Sequence, residues 1–323
     1  MLICVNYHYI RNSFDAKYPS IFGLKPKKFE SQLERLSKLG KFISSDDVVS
    51  KISDDRPLKN INFLITFDDG LKEQYDLALP ILERMGIPAI FFANSLNSEK
   101  KFVSRVHKIH LIRSVVDPKF LIKRSLSIAS DLSDDISIIS KKAISHYKYD
   151  NSENATLKYL LNFILTDSNL EFLVDKTFNE YFDEKSVNNS LYMDDHQLIN
   201  LAKRQMLGSH GKSHIPIGLQ DELIRVDEIT DSHRYFQNLT GCNLAAFSFP
   251  YGSYESCLGC KNILKESGFK FSLTMERSIN HDLKQPLGLS RFDNNDMPGG
   301  KSYKYKSDVE LLKYPKRNWK ILN

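Results

Sequence analysis

The sequence predicts an α/β fold, a parallel (β/α) barrel with a large helical insertion, and three observations carry that reading. About seven short runs rich in β-branched and aromatic residues recur along the chain: Leu2–Tyr7, Ile61–Phe67, Ala89–Ala93, Met206–Ser209, Ala245–Phe249, Phe271–Thr274 and Leu287–Phe292. Several are apolar without alternation, as strands covered on both faces require. Helical patterns such as Tyr75–Met85 and Asp221–Asn238 lie between them, and strand and helix in turn suggest a barrel. Finally, between Ser95 and Tyr192 no convincing strand occurs, while Val103–Val116, Ile136–Tyr147 and Ala155–Leu165 read as helices. A plain loop of that length is foreign to a compact domain. The stretch at about 96–191 is therefore expected to be a helical insertion on a single domain spanning residues 1–323. Its role is either packing or forming one wall of a substrate cleft.

Composition narrows the function. With 41% hydrophobic residues in 323, the chain fills a sizeable core. Its 45 basic and 40 acidic residues are interspersed, so the net charge of +5 describes a mixed solvated surface and not a nucleic-acid stripe. The opening apolar run, from Leu2, ends within a few residues and lacks the features of a secretory leader, which makes a cytoplasmic location the expectation. No apolar stretch approaches the roughly 20 residues of a membrane span, although peripheral contact with a lipid-linked substrate stays open. Cys4, Cys242, Cys257 and Cys260 are too few for a disulfide framework. The Cys257–Cys260 pair has no second pair to complete a zinc site, so reduced, structural thiols are expected.

Three segments carry chemistry. The run Ile61–Phe67 ends in Asp68, Asp69 and Gly70. Adjacent carboxylates at a buried strand end repel one another, and a metal for one with proton transfer for the other resolves the conflict. An ordinary aspartate helix cap is the bland alternative. The second segment, Leu207–His214, places His210 and His214 four apart, on one face if the chain turns helically. With a carboxylate they make three ligands and leave positions open for water and substrate, whereas alone they read as surface histidines. Just upstream, Asp194 and Gln197 match an N-cap and its partner, so Asp194, Asp195 and His196 read as helix-start residues, not ligands. The third segment, Phe247–Gly252, closes a strand with Pro250, Tyr251 and Gly252. Such a turn is able to hold the Tyr251 N–H toward an oxyanion, or is a turn and nothing more.

The motifs TFDDG, SHxxxH and FPYG, in this order, resemble those of the polysaccharide deacetylase family (NodB homology, carbohydrate esterase 4), over roughly 1–94 and 192–292. The resemblance implies a distorted (β/α)7 barrel with its site at the C-terminal ends of the strands. It implies Asp69, His210 and His214 as ligands of a divalent metal, usually zinc, with cobalt, nickel or manganese as alternatives, and Asp68 as catalytic base. Two departures stand out. Ser248 occupies a place where many members carry arginine, and Leu289-Ser290-Arg291 stands where many carry Leu-x-His. The stretch Asn6-Tyr7-His8-Tyr9 is similar to the opening of the poly-N-acetylglucosamine deacetylase subgroup, which nominates His8 as general acid; His281 is the next candidate, and Arg291 is the candidate to replace the missing arginine as the partner orienting Asp68. The expected activity is metal-dependent removal of an N-acetyl group from an acetamido sugar or oligosaccharide of a cell-surface polysaccharide or its precursor. A deformylase or O-acetyl esterase would use the same metal chemistry, and a non-catalytic glycan-binding barrel is the alternative of a different class. A glycosidase needs carboxylates roughly 5 to 10 Å apart across a cleft, which adjacent aspartates do not supply.

Overall fold

The computed structural model describes residues 1–319 except 14, 19, 55–57, 130–135 and 148–149. Among the described residues nine strands form: β1 (Leu2–Tyr7), β2 (Lys41–Phe42), β3 (Asn62–Phe67), β4 (Ala89–Ala93), β5 (Leu207–Ser209), β6 (Ala246–Ser248), β7 (Phe271–Leu273), β8 (Leu287–Leu289) and β9 (Arg291–Asp293). They pair in the order β8-β7-β6-β5-β4-β3-β1-β9, every pairing parallel, with β2 beside the start of β3. The two ends of this order, β8 and β9, are separated in the chain by Ser290 alone. The sheet therefore returns on itself as a nearly closed barrel.

Each of the seven expected strand runs is present, but the last is split. Asn280, fully buried, inserts there: its amide oxygen accepts the Ser290 N–H at 2.9 Å, and its amide nitrogen donates to the carbonyls of Ser290 at 2.9 Å and Leu2 at 3.3 Å. A side chain thus takes ladder positions that strand backbone would otherwise fill, which periodicity alone does not reveal.

Alternation along the strands sorts the core into two layers. Leu2, Cys4, Leu64, Ile90, Phe92, Ala246, Phe271, Leu273 and Leu289 form one buried cluster, the barrel filling. Their neighbours Ile3, Val5, Tyr7, Phe63, Ile65, Phe67, Phe91 and Phe247 belong to a second cluster shared with Phe29, Leu33 and Leu36 of helix Pro26–Ser37 and with Phe236 of helix Glu222–Thr240. Further along the same inward rows the residues turn polar: Asn6, Thr66, Ser248 and Arg291, all fully buried. Apolar filling below and polar residues above is the arrangement that places chemistry at the C-terminal ends of barrel strands. Gly208 on β5 makes room for the filling, since a Cβ there would lie 2.4 Å from the Phe92 ring.

The chain divides into two compact units, one of residues 1–13, 23–102 and 188–323, the other of 14–22 and 103–187. The second unit is helical, with helices Arg105–Val115, Pro118–Ile128, Ile136–His146, Ser152–Tyr159, Asp167–Tyr181 and Glu184–Leu191, the last ending as the chain rejoins the first unit. Its interior holds Lys108, 3% exposed, between Asp175 and Glu184 at 3.0 Å each. No helix among the described residues is long and apolar enough to cross a membrane.

Candidate metal and catalytic site

The residues singled out at the ends of β3, β5 and β6 converge. Asp69, His210 and His214 each offer a ligand atom, all within 4.8 Å of one another, and among the described residues they are the one such group of three or more His, Cys, Asp or Glu. Asp69 Oδ1 lies 3.2 Å from His214 Nε2 and 3.6 Å from His210 Nε2. Three turns make this possible, each at an energetic cost. Asp69, His214 and Tyr251 adopt φ of 78°, 64° and 61°, a left-handed conformation that is uncommon for residues with a Cβ and costs about 1 kcal/mol or more. Such outliers concentrate where surrounding structure holds them for a purpose. Gly70, at φ 61°, continues the first turn, and a Cβ on it would come within 2.8 Å of that of Ala93.

The donor set suits a divalent cation. His210 Nδ1 sits 2.8 Å from the Ser248 carbonyl, which only accepts, so Nδ1 carries the proton and Nε2 turns its lone pair toward Asp69. Burial pushes the His210 pKa down to about 4, which keeps the imidazole neutral. At His214 burial acts in the same direction, but the Asp69 carboxylate outweighs it and raises the pKa. One carboxylate oxygen and two imidazole nitrogens around a common point fit a zinc-type centre with positions left open.

Asp68, beside this group, is held by four hydrogen bonds. Arg291 donates through Nη1 to Oδ1 at 2.8 Å and through Nη2 to Oδ2 at 2.6 Å, Ser248 Oγ donates to Oδ1 at 2.9 Å, and Asn6 Nδ2 donates to Oδ2 at 2.9 Å. Burial alone would raise the Asp68 pKa, but the Arg291 guanidinium, then His210, bring it down to about 2. Arg291 Nη2 also donates to Ser248 Oγ at 2.9 Å. A serine at 248 thus leaves the space and the hydroxyl that an arginine arriving from β9 uses.

The other expected residues lie as follows. His8 follows β1 at the same end of the barrel and is near enough that its charge lowers the Asp68 pKa. Tyr251 is half-exposed, with its ring against His214 at 5.2 Å between centroids. His281 is misplaced for an acid: it is exposed and follows Asn280, which pairs with Leu2 at the start of β1, the end of the barrel opposite Asp68. The chain N-terminus is among the charges that lower its pKa, after burial and Lys316. The capping box forms as read, with Gln197 N donating to the Asp194 carboxylate at 2.9 Å and Asp194 N to Gln197 Oε1 at 3.1 Å. Cys257 and Cys260 are buried, and burial pushes the Cys260 thiol up to about 12.

Two buried residues were given no role by the sequence reading. Asn6 enters it only as the first residue of the Asn6–Tyr9 stretch, although its even-numbered position on β1 puts it in line with Leu2 and Cys4. Gln74 opens a π-helical turn (Gln74–Ala78), and its amide donates to the carbonyls of His8 at 3.0 Å and Asp68 at 2.6 Å, tying the ends of β1 and β3 together. A π-turn leaves no signature in hydrophobic spacing.

The polysaccharide deacetylase family model matches residues 55–159. Over that stretch the chain is similar to the polysaccharide deacetylase family. The matched stretch holds Asp68 and Asp69 and runs on into the helical segment, beyond the motifs that first suggested the family, while the histidines and the Pro-Tyr-Gly turn lie past its end. Among solved structures, the Streptococcus pyogenes deacetylase PplD in complex with acetate is 15% identical, with 90% of this chain and 91% of that one covered and a TM-score of 0.54. A de-N-acetylase from Aggregatibacter actinomycetemcomitans is 12% identical, with 91% and 95% covered and a TM-score of 0.54. IcaB from Ammonifex degensii is 13% identical, with 90% of each chain covered and a TM-score of 0.52. At such identities the likeness is one of fold, and it bears out the distorted, nearly closed parallel barrel. Among curated proteins no sequence matches.

Proposed function

We propose that this protein is a metal-dependent hydrolase that removes the N-acetyl group from an acetamido sugar of a cell-surface polysaccharide or its precursor, the whole chain acting as one catalytic domain with a helical insertion. The observation that carries this reading is the convergence of Asp69, His210 and His214 beside a carboxylate, Asp68, that is locked in place by Arg291. Two of the structural relatives are named as deacetylases, and one of these was solved with acetate, the acyl product of such a reaction. A cytoplasmic location and a lipid-linked substrate are part of the same proposal.

In this reading Asp69, His210 and His214 would hold a divalent cation, with zinc the first choice, and the bound ion would supply Lewis acidity to the amide carbonyl and the attacking water. Asp68 takes the proton from that water. A carboxyl held at about 2 is ionised across the neutral range but is a weak base, so it suits a water already made acidic. The Tyr251 N–H is offered to the developing oxyanion. His8 gives a proton to the leaving amine, and acetate and an amino sugar depart.

The test is elemental analysis of the purified protein, followed by assay of acetate release from acetamido sugars by the zinc-loaded form. About one zinc per chain and acetate release support the proposal, formate release in its place points to the deformylase, and no zinc after incubation favours the glycan-binding barrel. Asp68→Asn is expected to keep its zinc and lose roughly 10²- to 10⁴-fold in kcat, the usual contribution of a general base. Full turnover by that variant would remove Asp68 from the role. For His8→Ala, the expected result is a loss of similar size in kcat/KM and the disappearance of the alkaline limb of its pH profile, where an acid loses its proton. An unchanged profile would rule His8 out.

A further inference from the structure

We propose that Glu228, a residue of helix Glu222–Thr240, is a positioning residue for His214 and through it sets the affinity of the site for its cation. The inference rests on Asp69, His210 and His214 being a metal site. It begins from the turn that joins the two histidines. Gly211 and His214 both have positive φ, 75° and 64°, so the turn is held in a conformation that at His214 is costly. The Ser95 and Leu96 N–H groups hold two of its carbonyls, those of Gly211 and Lys212, at 3.2 and 3.0 Å, and the helix holds its N–H groups. Glu228 is 4% exposed, and its Oε2 accepts the N–H groups of Lys212 and Ser213 at 3.0 Å each while Oε1 accepts the Ser213 hydroxyl. Four residues on, on the same face, Ser232 Oγ donates to the Gly211 carbonyl at 2.9 Å and shares a hydrogen bond with Ser209 Oγ at 2.7 Å. Ile229 and Phe236, fully buried, fix the helix in the core.

The two helix residues are not equivalent. The Gly211 carbonyl that Ser232 serves has a second donor, the Ser95 N–H at 3.2 Å. Lys212 and Ser213 direct their N–H groups to the Glu228 carboxylate, and a carboxylate acceptor makes the stronger kind of hydrogen bond. Without it two part-buried donors lose their acceptor, and the turn relaxes toward ordinary dihedrals. His214 is the residue with strain to release, so its imidazole leaves the geometry that brings Nε2 to 3.2 Å from Asp69. Residues that orient ligands in this way typically contribute 10- to 100-fold to metal affinity.

Zinc affinity is measured by titrating metal-free protein in competition with a chromophoric chelator, for wild type, Glu228→Ala, Glu228→Gln and Ile229→Val, with thermal unfolding of each metal-free form. Glu228→Ala should bind zinc about 10- to 100-fold more weakly. Glu228→Gln keeps a carbonyl acceptor for the two N–H groups and should recover most of that loss. Ile229→Val trims the same helix in the core without touching the turn, and should lower the unfolding midpoint while leaving zinc affinity at the wild-type value. Wild-type affinity in Glu228→Ala, or an equal loss in Ile229→Val, would overturn the assignment while leaving the metal site standing. A wild type that binds no zinc overturns the metal site itself, and this inference with it.

Discussion

If the site holds zinc as proposed, alanine at His210 is expected to give a folded protein that fails to retain it, the largest single effect expected from any substitution in this chain. His210 is 1% exposed and offers one of three converging atoms able to bind a cation, with its ring oriented by the Ser248 carbonyl. Removing an orienting residue costs 10- to 100-fold in metal affinity, and removing a ligand costs more than that. Elemental analysis after dialysis reads the result directly, and retention of one zinc per chain would overturn the ligand assignment. The companion variant is Asp69→Gly, which separates metal loss from damage to the fold. Asp69 pays for its left-handed φ of 78° and for the neighbouring Asp68 charge, and glycine relieves both. Metal-free Asp69→Gly should therefore unfold at or above the wild-type midpoint while failing to bind zinc. A function that stores strain and like charge in one residue makes this opposition of stability and activity.

Arg291→Met is expected to cost about 3 to 5 kcal/mol, the usual consequence of taking one partner from a buried ion pair. Arg291 is among the largest fully buried side chains of the described residues, and its guanidinium meets both oxygens of Asp68. The pH dependence identifies the cause. In the wild type the Asp68 pKa lies at about 2, below its ordinary 3.8. The pair's contribution, about 2 kcal/mol by linkage, is thus present above the ordinary value and lost as pH falls through the folded one, between about 4 and 2. In the variant burial is opposed only by the weaker pull of His210 and His8 and moves the Asp68 pKa up, which reverses the sign: the deficit against wild type is greatest at neutral pH and shrinks on acidification toward 4. Urea unfolding at pH 7 and pH 4 distinguishes the two cases. A deficit independent of pH would mean that Arg291 matters for packing alone. Adding Asp68→Asn to Arg291→Met should recover part of the loss, because the uncompensated charge is then gone.

The parts of the site that were legible in the sequence share one property: their residues are neighbours in the chain. Asp68 and Asp69 follow a strand, His210 and His214 are four residues apart, and Asp194 and Gln197 form a cap within four residues, so spacing alone brings these groups to notice, although the chain between the histidines makes a left-handed turn and not the helical one expected. The strand runs are local in the same sense, and six of the seven became single strands. Composition added the mixed surface and the sizeable core.

Tertiary structure decided what depends on closing the ring. Asp68 and Arg291 are 223 residues apart and meet because β9 returns beside β1, which brings the inward rows of first and last strands together. Within the sequence, Arg291 is tied to Asp68 only through the family resemblance; spacing alone shows a cation among strand residues and names no partner for it. The Asn280 insertion, the Gln74 brace, the Glu228 support of the histidine turn and the removal of His281 to the far end all arise from side chains crossing between elements. Local propensity records where the chain turns; which side chain satisfies a buried donor or charge is settled only when distant elements pack, because that partner is chosen by position in space and not by spacing along the chain.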